Sequence, residues 1–313
     1  MKLLLTGHKG QLGRALWPLL EAHTVQGFDL PEHDITDRAD VMQVARAFRP
    51  DAILHPAAMT NVDGCARDPE AAYRVNGMGT QNVALAAAEV GAELLYVSTN
   101  EVFSGEIGRA SQNNVAPTAS DLGSPMLYAR QSATRNGRTI GPYSEWDERR
   151  PINPYGRSKL AGEWYTQNLL NRFYIVRTAW LYAPSGTNFP HKMIRLADKH
   201  GALRVVTDEV GNPTYVADLA QAITRLIDTH AYGIYHLVNE GAASRYEFAQ
   251  EILRLSGRAS IPIEPITSDA FERASTPPPY APLANVAAAA LGIRLRPWQE
   301  ALADFLVQTG FRR

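Results

Sequence analysis

Tyr155 and Lys159 stand four residues apart in the run Asn153-Pro154-Tyr155-Gly156-Arg157-Ser158-Lys159-Leu160-Ala161-Gly162-Glu163, which reads as the start of a helix. On a helix that spacing puts both side chains on one face, so a phenol and an ammonium can meet the same bound molecule. The cation is expected to favour phenolate over phenol and to draw the Tyr155 pKa down from about 10 toward working pH, where the phenol can give a proton to a carbonyl oxygen. Chance also places Tyr and Lys at this spacing on amphipathic helices, as a solvated Lys beside a half-buried Tyr. A second constellation opens the chain. Thr6-Gly7-His8-Lys9-Gly10-Gln11-Leu12-Gly13 follows an apolar run and precedes a helical pattern. Gly7, Gly10 and Gly13 allow a tight turn and close approach to a pyrophosphate, which the N–H groups of Lys9, Gln11 and Leu12 at the helix start can hold. Asp29 ends the second apolar run, where an acid can accept from an adenosine ribose. Asp29 would repel a 2′-phosphate and Lys9 would attract one, so NADH is favoured and NADPH stays open.

These residues need a scaffold that brings the two constellations to one edge. Short apolar runs at Lys2 to Leu5, Thr24 to Phe28, Ala52 to Leu54, Glu93 to Val97 and Phe173 to Arg177 alternate with helical patterns at Gln11 to Ala22, Ala39 to Phe48, Glu70 to Val90 and Tyr155 to about Arg172. Strands apolar throughout, alternating with amphipathic helices, predict an α/β fold: a doubly wound parallel sheet of Rossmann type, covered on both faces, with a smaller C-terminal substrate-binding lobe. Helical spacing recurs at Phe189 to His200, Val216 to Asp228, Tyr246 to Ser256 and Trp298 to Gln308, with a shorter helix at Ala287 to Leu291. The segment from about 106 to 141 breaks the rhythm, being rich in Ser, Asn, Ala, Gly and Thr, and is expected to be a flexible excursion. Thr276-Pro277-Pro278-Pro279-Tyr280-Ala281-Pro282 cannot be helix interior or central strand and is expected to cross the surface. The expected division is a cofactor-binding domain of 1–177 plus about 214–237, and a substrate lobe of about 178–213 plus 238–313.

Composition narrows the classes. The 313 residues are 45% hydrophobic and 20% charged, with 31 basic against 32 acidic side chains. That balance makes no electrostatic case for nucleic acid or an anionic membrane. One cysteine, Cys65, supports neither a disulfide framework nor a Cys-based metal site, and fits a small core residue in a reducing cytoplasm. The apolar N-terminal run is too short for a signal peptide, and no stretch approaches the roughly 18 residues a bilayer needs. No metal cluster is recognisable.

With the glycine turn, a Ser98-Thr99 pair ending the fourth strand and Tyr155-x-x-x-Lys159, the chain resembles the extended short-chain dehydrogenase/reductases. Within them it is similar to the dTDP-4-dehydrorhamnose reductase family, which makes dTDP-L-rhamnose. The likeness is carried by Ala57-Ala58-Met59-Thr60-Asn61-Val62-Asp63, Val75-Asn76, Val97-Ser98-Thr99-Asn100-Glu101-Val102-Phe103, Tyr155 to Glu163, Arg177-Thr178-Ala179-Trp180-Leu181-Tyr182 and Asp208-Glu209-Val210-Gly211-Asn212-Pro213-Thr214. It implies NADH or NADPH as hydride donor and a nucleotide-sugar 4-ketone as substrate. It also implies roles. Tyr155 would protonate the C4 oxygen, Lys159 would bind the nicotinamide ribose and tune the phenol, and Thr99 would hydrogen-bond the same oxygen. Asp34, Ile35, Ala57, Ala58, Thr60 and Ser98 would lie along the cofactor, and Thr60, Val62, Thr99, Glu101, Trp180 and Asn188 along the substrate. Asn76 reads as a structural hydrogen bonder, Trp180 as a cover for the sugar or a core residue, and Arg177 as a site or scaffold residue. Two blocks depart from the family pattern. Relatives usually carry Asp-Tyr where this chain has Asn100-Glu101. They usually show Arg-Pro-x-x-Ser-x-Leu-Asp where Pro277-Pro278-Pro279-Tyr280-Ala281-Pro282-Leu283-Ala284 keeps little beyond Pro and Leu. A nucleotide-sugar epimerase or dehydratase with tightly held NAD is the alternative enzyme. A cofactor-binding regulatory subunit resembling the methionine adenosyltransferase beta subunit is the alternative from another class. The expected partners are the nucleotide sugar and, at most, a second copy in a homodimer, with no nucleic acid or membrane.

Overall fold

Side chains alternate along a strand, and in the first strand both alternates are apolar, so Leu3 and Leu5 enter one core and Leu4 another. Helices must therefore cover both faces. The computed structural model describes residues 1–106, 133–135 and 138–311. Its central elements are β1 (Lys2–Thr6), α1 (Gln11–Leu16), β2 (Thr24–Phe28), α2 (Arg38–Phe48), β3 (Ala52–His55), α3 (Thr80–Val90), β4 (Glu93–Thr99), α4 (Pro154–Leu169), β5 (Phe173–Thr178), α5 (Val216–Ile227) and β6 (Gly233–His236). The six strands form one parallel sheet in the order β2-β1-β3-β4-β5-β6. Leu4 pairs with Gln26 of β2 on one side and with Ile53 of β3 on the other. The chain thus reverses its winding direction between β2 and β3, and the crevice outside the carboxyl ends of β1 and β3 is where such sheets bind ligands.

One face of the sheet packs Leu12 and Leu16 of α1 against Leu219, Ile223 and Leu226 of α5; the other packs Val41 and Val44 of α2 against Val83 and Ala87 of α3. A separate core joins the helices Phe189–His200, Arg245–Leu255 and Trp298–Gln308 around Tyr182, whose ring meets Phe305 edge-on at 5.1 Å. Ala288, Ile293 and Leu295, which lie in the range expected for the substrate lobe, pack instead in the first core.

Three expectations are corrected. The helix expected over Gln11 to Ala22 stops at Leu16 and tightens to a 3₁₀ turn, Trp17–Leu20, because Pro18 has no N–H to continue the ladder. The helix expected over Glu70 to Val90 is three pieces: Pro69–Ala72, a π-helical stretch Tyr73–Gly79, and α3. The proline-rich crossing is extended, yet from Tyr280 to Ala284 it is buried rather than superficial. Its carbonyls find partners inside: Pro279 accepts from Val210 N–H at 2.9 Å and Ala281 from Asn100 Nδ2 at 3.1 Å. The expected excursion over 106–141 lies largely outside the described residues, apart from its ends and a short antiparallel pair, Ala133–Arg135 with Arg138–Ile140. Cys65 is fully buried, as a core residue should be.

Glu145 sits 5% exposed, with one carboxyl oxygen accepting from His236 N–H at 3.1 Å and Ala287 N–H at 3.0 Å. Burial pushes its pKa up to about 7 against those hydrogen bonds. The folded protein therefore holds this proton more tightly than the unfolded chain. Its contribution is complete below about pH 4.5 and is lost as pH rises through 7, a fall of about 3 kcal/mol. Glu145→Gln is expected to remove that part of the slope. Urea titrations at pH 5 and pH 8 would measure it, and equal slopes in both proteins would refute the assignment.

Candidate active site

The glycine turn leaves β1 with Gly7 at φ +60°. A Cβ there would lie 2.8 Å from the Ala57 Cα, and one on Gly13 would overlap the Gly7 carbonyl oxygen. No larger residue fits either place. Gly10 caps α1 without a side-chain acceptor, so no side chain competes for the first N–H groups of that helix. This is a fitting cradle for a dinucleotide pyrophosphate. Asp29 stands at the carboxyl end of β2, where its two oxygens accept from the backbone N–H groups of Lys9 and Leu30, each at 2.9 Å. Lys9 folds away, its ammonium donating to the Leu30 carbonyl at 2.8 Å and pairing with Glu32 at 2.5 Å. Asp34 takes the Thr36 N–H at 2.8 Å beside the buried Ile35. Ala57, Ala58 and Thr60 follow β3, and Val62 opens the helix Val62–Arg67.

At the end of β4, Thr99 Oγ1 accepts from Glu101 N–H at 3.2 Å. Asn153 caps α4, accepting from Gly156 N–H at 2.8 Å, and Pro154 occupies the first turn, where a missing N–H costs nothing. A Cβ on Gly156 would overlap the Glu101 carbonyl oxygen, so glycine lets the helix start press against the turn after β4. That closeness sets Tyr155 beside Thr99 and Glu101. One turn on, Lys159 is 2% exposed with its ammonium 4.3 Å above the Tyr96 ring. Beneath it Glu163 and Arg177, both wholly buried, form a two-pronged pair at 2.8 Å per contact, and Ser98 Oγ donates to Glu163 at 2.6 Å. Arg177 is thus a scaffold residue, and Ser98 is tied to that scaffold. Asn76 is structural as well: it accepts from Met59 N–H at 2.7 Å and donates to Ser158 Oγ at 3.0 Å.

The titration of the pair differs from expectation. Burial, then the Glu101 carboxylate, pushes the Tyr155 pKa up, with only the Thr99 hydroxyl opposing. Burial also lowers Lys159 to about 7 against the pull of Glu163. Desolvation outweighs the attraction on which the sequence reading relied. Burial thus holds Tyr155 as a neutral phenol, which is the proton-bearing form.

These groups share one cavity of about 880 Å³ that runs from the glycine turn past Tyr155 to the second lobe. Every residue expected at cofactor or substrate lines it, including Glu101, Trp180 and Asn188. Asn188 also caps the helix Phe189–His200, and its amide donates to the Ala183 carbonyl at 2.6 Å. Glu101 is held by Asn153 Nδ2 at 2.6 Å, and burial raises its pKa. Arg74 and Arg245 line the cavity too and were missed. Arg74 carried no signal in sequence; Arg245 falls just before the helix expected from Tyr246, in a capping motif that explains its type locally without reference to a site. Among the described residues no group of three His, Cys, Asp or Glu could hold a metal ion, and no helix is long and apolar enough to cross a membrane.

The sequence profile of the RmlD substrate binding domain matches residues 1–310. The chain belongs to that family. A dTDP-4-dehydrorhamnose reductase of Mycobacterium tuberculosis is 35% identical over 310 residues, spanning 97% of this chain and 92% of the relative. The spore coat polysaccharide biosynthesis protein SpsK of Bacillus subtilis is 34% identical, spanning 97% of this chain and 96% of its own. Among solved structures of the family, a dTDP-4-dehydrorhamnose reductase of Bacillus anthracis in complex with NADP superposes with a TM-score of 0.83 at 35% identity, covering 98% of this chain and 99% of the other. A UDP-glucose 4-epimerase of Thermus thermophilus, at 22% identity and TM-score 0.74 over 99% of this chain and 98% of its own, shares the Rossmann-like fold.

Proposed function

We propose that this protein uses NADH or NADPH to reduce the C4 ketone of a dTDP-linked 6-deoxy-4-ketosugar, converting dTDP-4-dehydrorhamnose to dTDP-L-rhamnose. The observation that carries the reading is the convergence of Thr99, Tyr155 and Lys159 on the cavity that begins at the glycine turn. The names of the relatives support it. When bound, the reduced nicotinamide supplies the hydride that reaches C4. Tyr155 gives its proton to the carbonyl oxygen, where negative charge develops, and the Thr99 hydroxyl donates to the same oxygen. Lys159 binds the nicotinamide ribose. It also meets the new phenolate with positive charge, and that phenolate in turn lifts the Lys159 pKa from its value near 7. Gly7, Lys9, Gly10, Gln11, Leu12 and Gly13 hold the pyrophosphate, Asp29 the adenosine ribose, and Asp34, Ile35, Ala57, Ala58, Thr60 and Ser98 line the cofactor's path. Val62, Glu101, Trp180 and Asn188 join Thr60 and Thr99 at the sugar. In this reading 1–177 plus about 214–237 bind the cofactor, and the remainder beyond residue 177 binds substrate. The enzyme works in the cytoplasm as a monomer or homodimer, without nucleic acid or membrane.

The test is oxidation of NADH and NADPH across a panel of dTDP-, GDP- and UDP-linked 4-ketosugars. Net consumption with the dTDP sugar is expected, and consumption with none of them would end the reading. Asp29→Ala is expected to move preference from NADH toward NADPH by about tenfold, the worth of one charge-assisted hydrogen bond and one removed repulsion. An unchanged ratio of kcat/KM values would show that Asp29 does not read the ribose.

A further inference from the structure

Arg245 lines the cavity from the first residue of a helix of the second core, and the mechanism leaves it without a task. Its backbone is fixed at the start of the helix Arg245–Leu255, where Ser244 and Glu247 form a reciprocal capping box. Its guanidinium lies 3.5 Å from the centroid of the Trp180 ring and 5.1 Å from that of Phe189. Trp180 holds this position with φ at +44°, a left-handed conformation that bulky residues avoid.

The charge on Arg245 is poorly matched within the protein. Its one ion-pair partner among the described residues is Glu209, at 3.9 Å, and Glu209 is held more closely by Arg273. No hydrogen bond is made by the guanidinium among those residues. A stacked guanidinium uses its faces on aromatic rings and keeps its N–H edge free, and that edge matches phosphate oxygens two at a time. Among the described residues the other cations of the cavity are placed differently: Lys9 is bound to Glu32 and the Leu30 carbonyl, Lys159 sits over Tyr96 beside Tyr155, and Arg74 is exposed in the stretch Tyr73–Gly79 without an aromatic ring to stack on. Glu101, which lines the same cavity, is after Glu209 the carboxylate that acts on Arg245, and burial favours its neutral form.

We propose that Arg245, stacked on Trp180, is the anchor for the diphosphate of the sugar nucleotide. The proposal rests on the reductase reading for the identity of that nucleotide. The cavity must then receive two diphosphates, one held by backbone N–H groups at the glycine turn and one by this preorganised cation.

Calorimetric titration of Arg245→Gln, Arg245→Lys and the unaltered protein with dTDP, thymidine and NADPH tests it. Arg245→Gln is expected to weaken dTDP binding by about tenfold to a hundredfold, with thymidine and NADPH unchanged, and Arg245→Lys is expected to recover part of the loss. Unchanged dTDP affinity in Arg245→Gln that still binds NADPH would overturn the proposal, as would failure of the unaltered protein to bind dTDP. If Arg245→Gln does not fold, the unaltered protein decides: its dTDP affinity should fall with added salt while thymidine's does not, and a flat response overturns the anchor. Titration needs no turnover, so the two readings fail separately. A protein that reduces no ketosugar yet loses dTDP in Arg245→Gln keeps the anchor and loses the reductase reading; a reductase whose dTDP affinity ignores Arg245 does the reverse.

Discussion

Tyr155→Phe is expected to lower kcat for ketosugar reduction by about a hundredfold to ten-thousandfold, the usual worth of a positioned proton donor. The substitution removes one oxygen and keeps the ring, so the start of α4 and its packing against the turn after β4 should persist. NADPH affinity should stay within about twofold, because the pyrophosphate cradle at Gly7 to Gly13 is built of backbone. Thr99 and Lys159 remain in the variant and can still polarise the carbonyl, which is why residual turnover is expected rather than none. Steady-state kinetics together with a fluorescence titration of NADPH would measure both quantities. A variant with kcat near that of the unaltered enzyme would remove Tyr155 from the mechanism, because among the described residues no other phenol lines the cavity.

Glu163→Ala should have the largest effect on stability. Its carboxylate is 0% exposed and meets Arg177, also 0% exposed, Ser98 Oγ and Arg149. Removing it strands a buried guanidinium whose other hydrogen-bond partners among the described residues are the Glu145 carbonyl at 3.2 Å and the His236 ring at 3.3 Å. Breaking a buried pair from one side costs about 3–5 kcal/mol, because the remaining charge keeps its desolvation penalty. Chemical unfolding would read this loss, and a change under about 1 kcal/mol would mean that the pair is solvated or dispensable. The consequence reaches the site. Glu163 is the main group raising Lys159 against burial, so its loss lowers the Lys159 pKa further. Activity that needs charged Lys159 should then fail at lower pH on the alkaline side. Glu163→Gln, which keeps an acceptor for Ser98 or Arg177, should lose less stability and show the same shift.

Local patterns carried the residues whose task is set by their neighbours in the chain. The glycine turn is such a case, since Gly7, Gly10 and Gly13 answer to sterics within one turn and the helix that follows. Tyr155 and Lys159 are another, since a helix puts them on one face whatever else the chain does. The helix-stopping effect of Pro18 is equally local, and it outweighs the apolar spacing that runs on to Ala22. Contacts made across the fold were of a different kind. The burial of the run from Tyr280 to Ala284 goes with the Asn100 amide donating to the Ala281 carbonyl and the Val210 carbonyl accepting the Ala281 N–H, partners far away in sequence. The upward shift of Tyr155 comes from burial and from Glu101, which is distant in the sequence. Arg245 became visible only when the second lobe set it on Trp180 and into the cavity.

The sequence by itself determined the alternation of strands and helices, the parallel sheet, the glycine turn and the placing of Tyr155 and Lys159 on one helix, because hydrophobic periodicity and turn chemistry act over a few residues. Tertiary structure alone decided how those groups titrate and which further side chains line the cavity. Desolvation and Coulomb terms depend on what surrounds a group in space, and for Tyr155, Lys159 and Arg245 those surroundings are drawn from segments distant in sequence that meet only when the sheet and second lobe have formed.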